Sequence, residues 1–276
     1  MAREFKTLYW SSLEMYEQCP QKFLWTKGWK GVDLGHGLGE SLPKPKKSSM
    51  HHAIMGIAIA KAMEDLYNHQ LYRDPPTLKE KLLASLQKEF KYLIHTKYVD
   101  WEKSPTEEEL YQTCVDGILG FLRTMKHNKL LGEFSKSEVD MKVELKEGHR
   151  IGGRADLVVV RAGEVGIYDG KNSLSKGKYT NPDQLRWYGL LYQSSMGVVP
   201  TKLGFIYYRY PFGMDNEGVV ESGVDYVDFT IHHLNSLAER AIEAREKMEA
   251  KIFTPTPKAK HCRFCDYESI CEARQT

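Results

Sequence analysis

The residue pattern predicts an α/β protein with a central mixed sheet flanked by helices, and three observations carry that expectation. Helical periods fill the first half of the chain. Residues 137–145, 150–161 and 165–169 are β-like and separated by the turn signals Glu147-Gly148 and Ala162-Gly163. Beyond them a helix, a strand, a further strand and a helix follow in order, an arrangement that asks for one sheet with helices packed on it.

Taken in order, residues 11–25 read as a short helix, with Ser11 and Glu14 at capping-box spacing and Pro20 dividing it. Residues 32–49, rich in Gly, Pro, Ser and Lys, read as a loop. Helical periods cover 50–70, 77–95 and 106–127. After the three β segments come a helix over 182–196, a strand over 202–210, a strand near 224–229 and a helix from 231 to about 251. Pro255 and Pro257 lead into a tail that carries three of the five cysteines. The expectation is a single domain over 1–276, with a mainly helical region at 50–136, an α/β core at 137–230 and a cysteine segment at 255–276.

The charge balance, 39 basic against 37 acidic residues, means that a nucleic-acid groove must come from local clusters. Lys44, Lys46 and Lys47 form one such cluster, and Lys171, Lys176 and Lys178 another; solvated loops are the plain alternative. No apolar run approaches the roughly 20 residues that cross a bilayer, and residues 1–10 lack the layout of a signal peptide. The expectation is a cytoplasmic protein with no membrane partner, where cysteines bind metal or lie buried more often than they pair.

The stretch Gly152-Gly153-Arg154-Ala155-Asp156 opens an apolar strand, and Asp169-Gly170-Lys171 closes the next one after a tight turn. Antiparallel strands joined this way bring Asp156 and Asp169 to one end of the sheet. Two carboxylates repel unless a cation lies between them, and oxygen ligands suit Mg²⁺ or Mn²⁺. Lys171 shares a strand face with Asp169 and can act on a water or on developing phosphate charge. The plain alternative is two strand-end acids and a surface lysine.

These residues resemble the second and third motifs of RecB-type PD-(D/E)XK nucleases. Gln184-Leu185-Arg186-Trp187-Tyr188 is similar to that family's Q-x3-Y signature, with Gln184 and Tyr188 on one helical face. Ser49-Met50-His51-His52-Ala53-Ile54 resembles the first motif, in which a helix-start histidine ligates metal; His51 fits the register better than His52. The chain departs from the family in carrying Asp169 where glutamate is usual, and in lacking the glycine before the histidine.

The resemblance implies a restriction-endonuclease-like core with a helical lobe. His51, Asp156 and Asp169 would hold Mg²⁺ or Mn²⁺, Lys171 would assist the attacking water, and Gln184 and Tyr188 would contact substrate or orient the lysine. It implies DNA as partner, as single strands or ends, in recombination, repair or phage DNA processing in a bacterial or phage-infected cell. Unwinding would fall to a helicase or recombination partner. A binding module with a decayed nuclease site is the alternative. Trp187, Tyr179 and Tyr208 are candidates for base stacking, with core packing as their other role.

Cys19 before Pro20, together with Cys262-x2-Cys265-x5-Cys271, resembles the iron staple of the AddB nuclease domain and of the CRISPR-adaptation nucleases. The resemblance implies a 4Fe–4S cluster on these four thiolates that joins the chain ends; zinc is what the residue types alone also allow. Cys114 fits no motif and is expected to be a small buried hydrophobe.

Overall fold

The structure, a computed structural model, describes residues 7–30, 32, 50–102, 104–177, 180–210, 223–263 and 265–274. Lys44, Lys46, Lys47, Lys178 and Tyr179 lie outside the described residues, as does nearly all of the expected loop at 32–49. A mixed sheet is flanked on both faces by helices, as the sequence predicts.

The chain enters through a two-residue strand, β1 (Leu8–Tyr9), then α1 (Trp10–Gln18) and α2 (Pro20–Lys27). Proline cannot donate the next helical bond, so the chain breaks at Cys19 and Pro20 becomes the first residue of α2. The expected cap at Ser11 is not formed. Tyr9 flanks α1 without any side-chain cap, and Glu14 instead accepts a hydrogen bond from Asn181 Nδ2 at 2.9 Å. Because the helix emerges directly from β1, its start is fixed by the strand.

Three helices follow: α3 (His51–Asn68), α4 (Pro75–Thr96) and α5 (Glu107–His127). Thr106 and Glu109 close a capping box on α5, satisfying backbone donors that would otherwise be orphaned. Then come β2 (Phe134–Lys146), β3 (His149–Arg161), β4 (Glu164–Lys171), α6 (Pro182–Met196), β5 (Lys202–Tyr207), β6 (Val224–Tyr226) and α7 (Ile231–Glu249). A last short helix, α8 (Ala259–Cys262), leads to the remaining cysteines.

Strand order is β1-β3-β4-β5-β6, with β2 also paired to β3. β2, β3 and β4 are antiparallel neighbours joined by tight turns; β5 runs parallel to β4 because α6 carries the chain back. Each sheet face has its own apolar layer. Leu13, Phe23, Trp187 and Leu237 belong to the layer under α1, α2, α6 and α7, and Ile54, Leu86 and Phe121 to the layer under α3, α4 and α5. Cys114 is fully buried in the second layer, and burial pushes its thiol up to about 12.

A candidate metal-dependent active site where two strands fork

β3 and β4 pair from Arg161↔Glu164 up to Leu157↔Tyr168. One step further the register puts Asp156 opposite Asp169, and there the strands part. The Gly170 N–H donates to Asp156 Oδ2 at 2.8 Å, a side-chain bond beyond the last ladder pair. On the other edge of β3, Ser137↔Leu157 and Val139↔Ala155 flank a step that sets Glu138 opposite Asp156. Three carboxylates, Glu138, Asp156 and Asp169, therefore form a row across three strands. Directly opposed like charges destabilise a sheet unless something positive joins them.

The side-chain alternation slips at this row. Ile151 and Ala155 belong to one apolar layer, whereas Leu157 and Val159, also odd-numbered, belong to the other. On β2 the slip coincides with Glu138, whose φ of 52° is left-handed. A non-glycine residue held there costs on the order of 1–2 kcal/mol. Such strain persists only where the surroundings over-determine it, and it clusters at functional sites. Glu138 is the residue that sequence reasoning passed over, since nothing in its neighbours signals a left-handed turn within a strand.

Asp169 is 3% exposed. Its Oδ1 accepts from Gln184 Nε2 at 2.8 Å, and Lys171 Nζ stands 2.6 Å from Oδ2. Lys171 Nζ also donates to Gln184 Oε1 at 3.2 Å, which closes a triangle and fixes the amide orientation of Gln184. Gln184 Nε2 lies 3.4 Å from the Tyr188 hydroxyl. Burial, and then the neighbouring Asp169, push the Asp156 carboxyl up to about 7, against the pull of the Gly170 N–H. Burial likewise raises Asp169, with Lys171 opposing. Burial thus disfavours having both carboxyls charged at once when no cation is present.

The start of α6 aims Gln184 and Tyr188 at this site. The Asn181 side chain accepts from the Asp183 N–H, and Pro182 sets the first helical φ. Asp183 is gripped by Arg186 at 2.9 Å and Arg240 at 2.6 Å, tying α6 to α7. Gly153 lets the helix come close: a Cβ there would stand 2.8 Å from Leu191 Cδ1 and 3.1 Å from Tyr188 Cε1. Trp187 is fully buried and donates Nε1 to the Gly152 carbonyl at 3.1 Å, so it is a core residue and not a stacking platform. Tyr208, 3% exposed, is likewise closed off from base stacking.

His51 opens α3 half-buried, with Nδ1 3.1 Å from Ser104 Oγ and its ring 4.0 Å from that of the exposed His52. Burial, then the charge of His52, lowers its pKa. The contacts described for it do not join it to Asp156 or Asp169. Among the described residues no group of three or more His, Cys, Asp or Glu could hold a metal ion. The structure thus brings together Asp156, Asp169, Lys171, Gln184 and Tyr188, and leaves His51 apart.

Cys19, Cys262, Cys265 and Cys271 are free thiols that line one cavity, together with Trp25 and His261. The tail is held over the first two helices by Tyr16 Oη donating to the Ile252 carbonyl at 2.6 Å and Thr256 Oγ1 donating to the Gln18 carbonyl at 2.9 Å. The rings of Phe23 and Phe253 stack at 6.3 Å, and Trp25 meets Tyr267 at 5.4 Å.

Residues 9–272 match the PD-(D/E)XK nuclease superfamily. The chain belongs to that superfamily, and metal-dependent nuclease action on DNA is the activity that goes with it. No curated protein matches. Twenty chains of solved structure do. One is the crystal structure of SSO0001, 16% identical over 80% of this chain and 86% of that one, with a TM-score of 0.33, too low to add to the argument. Among the described residues no helix is long and apolar enough to cross a membrane.

Proposed function

We propose that this chain is a divalent-metal-dependent deoxyribonuclease, an exonuclease that prefers single strands or frayed ends in recombination, repair or phage DNA processing. The observation that carries the catalytic part is the fork of β3 and β4. There Asp156, held by the Gly170 N–H, stands in register with Asp169, which Lys171 and Gln184 bind in one side-chain group. The exonuclease preference and the RecB-like pathway rest on the motif resemblance.

The donor set fits a hard cation. Two carboxylates face each other with raised pKa values, and Asp169 Oδ2 is buried without a well-formed hydrogen bond, its neighbour being the Lys171 ammonium. Asp156 and Asp169 would hold Mg²⁺ or Mn²⁺, with His51 as the third ligand the motif implies. When bound, the ion supplies Lewis-acid polarisation of the scissile phosphate and a more acidic water. The chain's own residues do the rest. Asp169 and Gln184 hold the Lys171 ammonium at a fixed point, where it directs the attacking water or offsets charge on the phosphate oxygens. Tyr188 and Gln184 keep that arrangement in place from α6.

The four cysteines are assigned to a 4Fe–4S cluster that ties 255–276 to Cys19. What supports this is their convergence on one cavity as free thiols, together with the C-x2-C-x5-C spacing. Closing so long a loop would constrain the unfolded chain strongly.

Digestion of ends-free and ends-blocked single- and double-stranded DNA with Mg²⁺ or Mn²⁺ tests the reading. Loss of label from free single-stranded ends is expected. Cleavage of circles at the same rate would make it an endonuclease, and no cleavage of any substrate would restore the decayed-site alternative.

A further inference from the structure

Gly170, between Asp169 and Lys171, has no room for a side chain. A Cβ built there would overlap the hydroxyl and ring of Tyr208. The phenol head thus occupies the notch left by that glycine, against the peptide whose N–H holds Asp156. The backbone of Tyr208 is pinned to the same strand end, its N–H donating to the Lys171 carbonyl at 3.1 Å. Its ring stands edge-on to Phe121 at 5.9 Å and 89°, and its carbonyl lies over Gly120, where a Cβ would strike it. Tyr208 is therefore clamped from α5 on one side while its hydroxyl lies against Gly170, beside Asp169, on the other.

We propose that Tyr208 is a positioning residue of the metal site: its hydroxyl fills the Gly170 notch and seats the peptide whose N–H fixes Asp156. This rests on the nuclease reading above and adds a role for the helical layer, which reaches the site through Phe121 and Tyr208. An N–H that holds a carboxylate oxygen, as that of Gly170 holds Asp156, lowers the entropy lost when that carboxylate meets a cation, because its orientation is set beforehand.

Tyr208→Phe keeps the ring and removes the hydroxyl that fills the notch. Mn²⁺ affinity, read by calorimetry, should fall about tenfold, and kcat ten- to a hundredfold, with KM for DNA unchanged. Unchanged Mn²⁺ affinity and kcat would overturn the proposal. Asp156→Asn in the same assays separates the two levels of inference. If it cleaves like the wild type, the nuclease assignment of the site is wrong; if it is inactive while Tyr208→Phe is intact, only the role of Tyr208 falls. Gly170→Ala should lose Mn²⁺ binding, and Gly170→Ala combined with Tyr208→Ala should regain part of it, since the overlap is gone. Wild-type Mn²⁺ binding by Gly170→Ala alone would refute the notch.

Discussion

Replacing Asp156 by Asn should make the metal-free protein more stable, not less, above neutral pH. Burial and Asp169 lift the Asp156 carboxyl from 3.8 to about 7. At about 1.4 kcal/mol per pH unit that rise is an upper bound of about 4 kcal/mol. Asp156 is only half-buried and its titration is tied to that of neighbouring Asp169, so the net effect comes to about 1–2 kcal/mol. The folded pKa lies above the unfolded one. The stabilisation is therefore complete below about pH 4 and is lost as pH rises through about 7. Asparagine cannot ionise and keeps the Gly170 N–H bond, so the variant escapes that loss. For 276 residues the unfolding entropy is about 0.6 kcal/mol/K, which turns the difference into about 2–3 °C in Tm.

Scanning calorimetry in a chelator at pH 4, 6 and 8 should show the two proteins converging at pH 4 and Asn ahead at pH 8. With Mn²⁺ at about a hundred times its Kd, the wild type gains about 2.7 kcal/mol and the order reverses. Equal Tm values at pH 8 in the chelator, or no reversal with Mn²⁺, would refute the reasoning that a cation belongs between these carboxylates.

Lys171→Ala should retain Mn²⁺ binding yet lose several orders of magnitude in single-turnover cleavage, with DNA affinity little changed because one phosphate contact carries only part of the electrostatic attraction; near wild-type cleavage would remove the lysine from the chemistry. His51→Ala should abolish cleavage while His52→Ala, at an exposed position, leaves most of it; the reverse outcome moves the ligand by one residue. Protein purified without oxygen should be brown with about four irons per chain, and Cys265→Ser should lose iron and solubility together. Colourless protein with stoichiometric zinc would reassign the thiols.

The helices were legible because their signals are local. The Asn181-Pro182 start and the Gly197 stop bound α6 as the sequence predicts, and the Thr106 and Glu109 pairing marks α5. The strands were legible from their turns, and so was the meeting of Asp156 with Asp169, since a tight hairpin fixes its own register. What could not be read is non-local. β1 has two residues, too few for any period, and exists only because Ile151 and Gly152 receive it. The partner of the Gly170 notch is Tyr208, which lies just past β5, on the far side of α6 along the chain. The slip of side-chain faces leaves no mark in the sequence of β3, because Ile151, Ala155, Leu157 and Val159 keep odd-numbered spacing across it.

The bonds from Tyr16 to Ile252 and from Gln18 to Thr256 span 236 and 238 residues. During synthesis at 5–20 residues per second, α1 therefore emerges roughly ten to fifty seconds before the segment that covers it. Through that interval Phe23 and Trp25 have no Phe253 or Tyr267 to meet. The first helices made are thus among the last to be finished, and a ribosome stalled just short of residue 250 would carry an apolar surface open to chaperones or to aggregation.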